Sequence, residues 1–176
     1  SNQETFQKAT TYANGAIVVP VKASETLFGG LEKQRSLEKA AFECGGKNYT
    51  APAQSIKAFI ENKTDSSPLT STTYPCGLLP SNLHEWFDKE IAESLAEGFL
   101  NFEKKIPGFI KEGLIIAPET RTSSPLRIPR HPDTLESLNT RGLFLLGEGA
   151  GYSGGIVTSA ADGMRFAYRA KLSEKF

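Results

Sequence analysis

Between residues 83 and 102 the apolar positions Leu83, Phe87, Ile91, Leu95, Phe99 and Phe102 recur every three or four residues, with Glu85, Asp88, Glu90, Glu93 and Glu97 between them. That spacing predicts one amphipathic helix with a core-facing stripe. Asn82 with Glu85 three residues on resembles a capping box and starts the helix after Pro80, while Pro107-Gly108 closes it. Its polar side is acidic, which disfavours an anionic bilayer as the partner of the stripe. Residues 31–42 also favour a helix, and Gly45-Gly46 supplies a left-handed stop. Pro52 in a first helical turn, followed by Ile56, Phe59 and Ile60, predicts a second, short helix. The β-branched residues 16–21 follow an Asn14-Gly15 turn and read as a strand, which Pro20 places at an edge or a bulge. Residues 114–117 read as another short strand, and the Ser/Thr/Asn-rich residues 62–73 as an exposed loop.

A different pattern closes the chain. Leu143-Phe144-Leu145-Leu146 is a short apolar run that predicts a buried strand. Gly147-Glu148-Gly149-Ala150-Gly151-Tyr152-Ser153-Gly154-Gly155 then predicts a loop, and Ile156 the start of a helix. Amides at a helix start lack intrahelical partners and lie at the positive end of the dipole, so an anionic group is a natural ligand there. Gly149, Gly151 and Gly154 spell G-x-G-x-x-G, but a dinucleotide unit needs a further strand and an acidic residue about twenty residues on. Only Glu174 remains, so this is not a nucleotide domain's opening turn. The alternative is a loop that merely lets a helix pack closely on a strand.

Residues 119–131 hold Arg121, Arg127, Arg130, His131 and several hydroxyls, broken by prolines. In an extended segment, alternation puts Arg121 and Ser123 on one face and Thr120 and Thr122 on the other. Guanidinium groups so spaced suit a carboxylate or phosphate, and a solvated connector is the other reading. His131 has no nucleophile to pair with and reads as structural.

Composition narrows the classes. The chain has 176 residues, enough for one ordinary domain or two small ones. Its 20 Lys plus Arg balance 20 Asp plus Glu, so no overall field draws it to nucleic acid or a membrane surface. No apolar run is long enough to span a bilayer, and a cytoplasmic protein is expected. Cys44 and Cys76 lack C-x-x-C or zinc-ligand spacing, so no metal is expected. Asn48-Tyr49-Thr50 and Asn62-Lys63-Thr64 match the glycosylation pattern but read as chance. The opening Ser1-Asn2 and the lone Met164 suggest a piece of a longer polypeptide.

Glu119-Thr120-Arg121-Thr122-Ser123-Ser124-Pro125, with Thr140-Arg141-Gly142-Leu143 and the stretch from Gly147 to Ile156, resembles the C-terminal part of a bacterial family of FAD-dependent, NAD-utilising dehydrogenases. Glu38, Ala41-Phe42, Gly45-Gly46, Asn48-Tyr49 and Pro52-Ala53-Gln54 extend the resemblance over most of the chain. The resemblance implies an α+β partial chain. Residues 1–118 would be most of an inserted cap or substrate domain, and residues 119–176 the closing strand, loop and helix of a Rossmann-like FAD domain. It implies FAD as cofactor in the parent protein, with NAD(P)H as donor. Gly147, Glu148, Gly149, Ala150, Gly151, Gly154, Gly155 and Ile156 would contact the flavin, Glu148 by accepting a ribitol hydroxyl.

Arg121, Ser123 and Arg127 would face the flavin or an anionic small-molecule substrate. Tyr152 lies against the ring or covers the loop. The phosphate-binding G-x-G-x-x-G of such flavoproteins has no counterpart in residues 1–140, so the isolated chain is expected to be inactive. It is also expected to self-associate through surface that the absent half would cover. A non-enzymatic phosphate- or nucleotide-binding module and a structural module are the rival readings.

Overall fold

The computed structural model describes residues 12–22, 25–69 and 72–172. Ser1-Asn2, Glu174 and part of the 62–73 stretch fall outside these. In chain order the elements are α1 (Gly29–Cys44), β1 (Ala51–Ser55), α2 (Ile56–Ile60), β2 (Leu78–Pro80), a 3-10 turn (Leu83–Glu85), α3 (Lys89–Lys105), α4 (Phe109–Glu112), β3 (Leu114–Ile116) and α5 (Ile156–Leu172). The class is mixed α+β, as expected. Packing divides the chain into two units, residues 1–21 with 37–118 and residues 22–36 with 119–176.

The first unit is built on a three-stranded sheet in the order β2-β1-β3, with β1 parallel to β2 and antiparallel to β3. Pro52 lies in the central strand and not in a helical turn, which corrects the expectation. Its carbonyl accepts the Ala117 N–H. The donor that proline lacks faces the same side, where β3 has ended at Ile116, so little of the ladder is lost. α2 begins instead at Ser55, whose hydroxyl accepts the Ala58 N–H at 3.1 Å. That hydroxyl also donates to Asp65 at 2.6 Å, and Gln54, fully buried, donates to the Lys63 carbonyl at 2.7 Å. The polar loop after α2 is therefore tied to β1 at two points, although most of its residues are exposed.

Residues 16–21 form no strand. Ile17 and Val19 turn onto the core and Val18 and Val21 stay exposed, so the alternation is present, but Pro20 removes a donor and no strand among the described residues pairs with the segment. The helix expected from residue 83 is divided. Asn82 caps the 3-10 turn by accepting the His84 N–H at 3.2 Å, and Asp88, extended at ψ 142°, separates that turn from α3. Residues distant in sequence hold the 3-10 turn in place. Gln54 takes the Leu83 N–H at 3.0 Å, and the His84 ring meets the Phe59 carbonyl at 2.8 Å. Ile56, Phe59, Leu83, Ala92, Leu95 and Phe99 then close one core, with Phe99 edge-on to Phe59. At the end of α3 the Glu103 carboxylate accepts the Ile110 and Gly108 N–H groups, and these bonds, Ile110's first, lower its pKa.

The second unit holds the N-terminal part of α1, the segment after Pro118, and α5. Gly30 of α1 lies against the Pro125 carbonyl, where a Cβ would come within 2.7 Å, and the Gln34 amide donates to the Thr120 carbonyl at 3.1 Å. Residues 143–146 form a single bridge, Glu136 to Phe144, and not the expected strand. A strand buried in a parallel sheet needs pairing on both edges, and among the described residues of this unit no strand is present to supply it. Phe144 packs instead on Phe166 of α5.

Candidate functional site

The loop after Leu146 divides its glycines by physical role. Gly147 and Gly151 have φ of +75° and +80°, a region that side chains rarely adopt. At Gly151 a Cβ would also collide with the Leu126 carbonyl and come within 2.9 Å of the Arg127 Cα. These two glycines are required by the fold. Gly149, Gly154 and Gly155 have no positive φ, and a Cβ on any of them would meet nothing within 4 Å. Internal packing gives no reason for glycine there. The loop turns on itself through Gly151 N–H to the Glu148 carbonyl at 2.8 Å, and Thr158 of α5 accepts the Gly154 N–H at 3.3 Å. Beside them the Ser153 hydroxyl is buried without a hydrogen-bond partner.

Beneath the loop lies an ionic anchor. The Arg130 guanidinium donates to both oxygens of Asp162 at 2.7 Å, and both side chains are under a tenth exposed. Arg130 also donates to the Leu145 carbonyl, and Asp162 accepts the Gly147 N–H at 2.9 Å. One carboxylate on α5 therefore fixes both the end of the apolar run and the first residue of the loop. The hydrogen bonds from Arg130 chiefly hold the Asp162 carboxyl below the usual carboxylate range; burial opposes them and the Gly147 N–H adds to them. The Tyr152 ring lies under the Arg130 guanidinium at 3.8 Å and the Arg127 guanidinium at 4.5 Å, and its hydroxyl accepts the Arg130 N–H at 3.1 Å. Tyr152 thus covers the inner side of the loop.

Of the residues singled out by sequence, Gly147 to Gly155 and Ile156 lie together on this loop and the start of α5. Ala150 is buried and its carbonyl accepts the Ile128 N–H at 3.1 Å. Glu148 is half-exposed, and its carboxylate has no hydrogen bond or ion pair among the described residues. Arg127 is brought to the loop through Tyr152. Arg121 and Ser123 are exposed where bends interrupt the segment, and it is Ser124 whose hydroxyl comes within 3.3 Å of the Gly149 carbonyl. The Arg130–Asp162 pair is the part that sequence reasoning missed. Asp162, the one acidic residue of α5, was its one available signal. Elsewhere, Cys44 has its thiol pushed up by burial and then by Glu85 and Glu43, and Cys76 is exposed. Among the described residues no group of His, Cys, Asp or Glu is arranged to hold a metal ion, and no helix is long and apolar enough to cross a membrane.

Three glycines leave backbone open, a buried unpartnered hydroxyl lies among them, and the first amides of a 17-residue helix follow. An uncharacterized protein of Clostridium beijerinckii (strain ATCC 51743 / NCIMB 8052) is 41% identical over 171 residues, which cover 93% of this chain and 31% of that protein. The chain thus spans about a third of that relative. A family described as "FAD-dependent protein, C-terminal domain-like" matches residues 4–122, most of the chain though not the glycine loop. The chain belongs to this family of FAD-dependent proteins, as a C-terminal domain-like part of them.

Proposed function

We propose that this chain is part of an FAD-dependent oxidoreductase of the NAD(P)H-linked dehydrogenase type, in which the loop from Gly147 to Ile156 contacts the flavin. The observation that carries this reading is the set of glycines without an internal reason, Gly149, Gly154 and Gly155, around the unpartnered Ser153 hydroxyl. FAD, when bound, supplies the electron-accepting ring. The residues of this chain bind and orient it. Glu148, with its carboxylate free of internal partners, would accept a ribitol hydroxyl. The open amides of the loop and of the α5 start would lie along the cofactor edge on which negative charge builds. Arg121, Ser123 and Arg127 are the candidates for facing the flavin or an anionic small-molecule substrate. Catalysis is assigned to the parent protein and not to these residues alone.

The form of α5 supports a role inside a larger assembly. Val157, Met164 and Tyr168 are 81%, 73% and 67% exposed at helical spacing, while Ser159, Asp162 and Phe166 face the unit. An exposed apolar face of this kind suits a helix that a further layer covers. We assign the second layer to the remainder of the parent polypeptide, and expect the isolated chain to self-associate through this face. The test of the whole reading is the ultraviolet-visible spectrum of the longer polypeptide. A flavin spectrum that is bleached on addition of NADH or NADPH is the expected result, with loss of the flavin in Glu148→Ala while folding is kept. A colourless protein that takes up no FAD when offered it overturns the reading in favour of a non-redox binding module.

A further inference from the structure

We infer that Arg127 is an anion-binding residue, placed to receive a carboxylate or phosphate group of the ligand that approaches the glycine loop. This deepens the reading above and rests on it only for the identity of that ligand.

The three arginines of residues 121–130 differ in what surrounds them. Arg130 has its charge met by Asp162, and Arg121 has interactions within the protein. Arg127 has neither a hydrogen bond from its guanidinium nor a carboxylate within ion-pair distance among the described residues, Glu148 included. It is nevertheless held in place. The Ile128 N–H next to it donates to Ala150, and the absent side chain of Gly151 lets the Arg127 backbone approach the loop. The guanidinium lies 4.5 Å from the centre of the Tyr152 ring, the ring that also carries Arg130. A cation–π contact of this kind orders a guanidinium without neutralising it or using up its donors. A surface arginine usually samples many rotamers, and this one has lost part of that freedom before any anion arrives.

A second feature points the same way. Tyr152 precedes α5 by four residues, and the intervening Gly154 and Gly155 leave the backbone open. The guanidinium is thus held against a residue of the loop that leads into the positive end of a 17-residue helix. A two-oxygen anion suits this pairing, because guanidinium offers paired donors in a plane. Such a group comes either from a substrate carboxylate or from a cofactor phosphate, and the experiment separates them.

The assay follows the arginine Nε–Hε signals of the ¹⁵N-labelled 176-residue chain during titration with sodium acetate, inorganic phosphate or sodium chloride at matched ionic strength. The Arg127 signal is identified by its loss in Arg127→Lys. A saturable shift of that signal with acetate or phosphate, and not with chloride, is expected. Arg127→Gln, followed through the amides of Gly154 and Gly155, should bind the effective anion about tenfold more weakly or worse. Arg127→Lys, which keeps the charge and loses the fork, should also weaken it. Preference for acetate identifies a carboxylate source; preference for phosphate, with FAD lost from the longer polypeptide in Arg127→Gln, identifies the cofactor. An Arg127 signal that responds to all three salts alike, or wild-type affinity in Arg127→Gln, overturns the inference. The titration requires no flavin, so a colourless longer polypeptide would refute the oxidoreductase reading and leave this result standing.

Discussion

Replacing Asp162 by Asn tests whether the loop is held by a buried ion pair. The change keeps the side chain's size and removes its charge, leaving the Arg130 guanidinium, 4% exposed, without a counter-charge. Breaking a buried pair from one side costs roughly 3–5 kcal/mol, because the remaining charge stays desolvated. With a urea dependence of about 2 kcal/mol/M, that lowers the unfolding midpoint of the second unit by roughly 1.5–2.5 M. The assay is urea unfolding by circular dichroism, with hydrogen exchange at the Gly147 amide, which Asp162 accepts, as the local probe. Arg130→Met with Asp162→Leu should recover much of the loss, since an apolar pair leaves no buried charge. The pH dependence has a definite sign. Asp162 has a lowered folded pKa, so the unfolded chain binds the proton more readily. Its contribution is complete well above the unfolded value of about 4, declines as pH falls through that value, and is gone below the folded value. Asp162→Asn should lack this part of the acid dependence. A loss under about 1 kcal/mol, with Gly147 protection unchanged, would refute the argument, since that is the size of a screened surface pair.

Four further changes separate the remaining roles. Gly151→Ala should destabilise the 176-residue chain by about 2–4 kcal/mol in thermal unfolding, from positive φ and backbone collision together. Gly154→Ala should change stability by less than about 1 kcal/mol and lower FAD retention in the longer polypeptide; equal effects of the two on stability would contradict the division of glycine roles. Gln54→Leu strands the Leu83 N–H and the Lys63 carbonyl and should cost about 2–4 kcal/mol in denaturant unfolding. Val157→Glu with Met164→Glu should reduce self-association of the 176-residue chain in analytical ultracentrifugation and destabilise the longer polypeptide, in which we propose that the outer face of α5 is covered.

The periodic parts of the fold were legible because their spacing alone states which face is buried. Leu83, Leu95 and Phe99 are in the core, and Gly46, at φ +85°, follows α1 as the left-handed stop expected of the Gly45-Gly46 pair. The break around Asp88 is not legible from local spacing, and the 3-10 turn before it is held by Gln54, 29 residues before Leu83, through the Leu83 N–H. Pro52 is a separate case: proline costs a central strand one donor, and here the loss falls at the end of the pairing with β3, opposite Ala117. The unpaired 143–146 run is a third case. A short apolar stretch records a preference for burial, and only the surrounding chain decides whether a ladder forms.

Sequence spacing grouped the five loop glycines together, yet their physical roles differ. A glycine motif states only that side chains are absent. Gly147 and Gly151 answer to dihedral angle and to the approach of residues 126–127, whereas Gly149, Gly154 and Gly155 answer to nothing inside the unit. The motif becomes informative about a ligand only after the internally required positions are subtracted. The arginines submit to the same subtraction. Arg130, equally prominent in the sequence, is consumed by Asp162, and Arg127 keeps its donors. What is left, three open glycines, the Ser153 hydroxyl, the Glu148 carboxylate and one oriented guanidinium, is a smaller set than the sequence proposed. Under the proposed function, one ligand would answer to these together, with a hydroxyl for Glu148, an anionic group for Arg127 and a flat face against the exposed backbone.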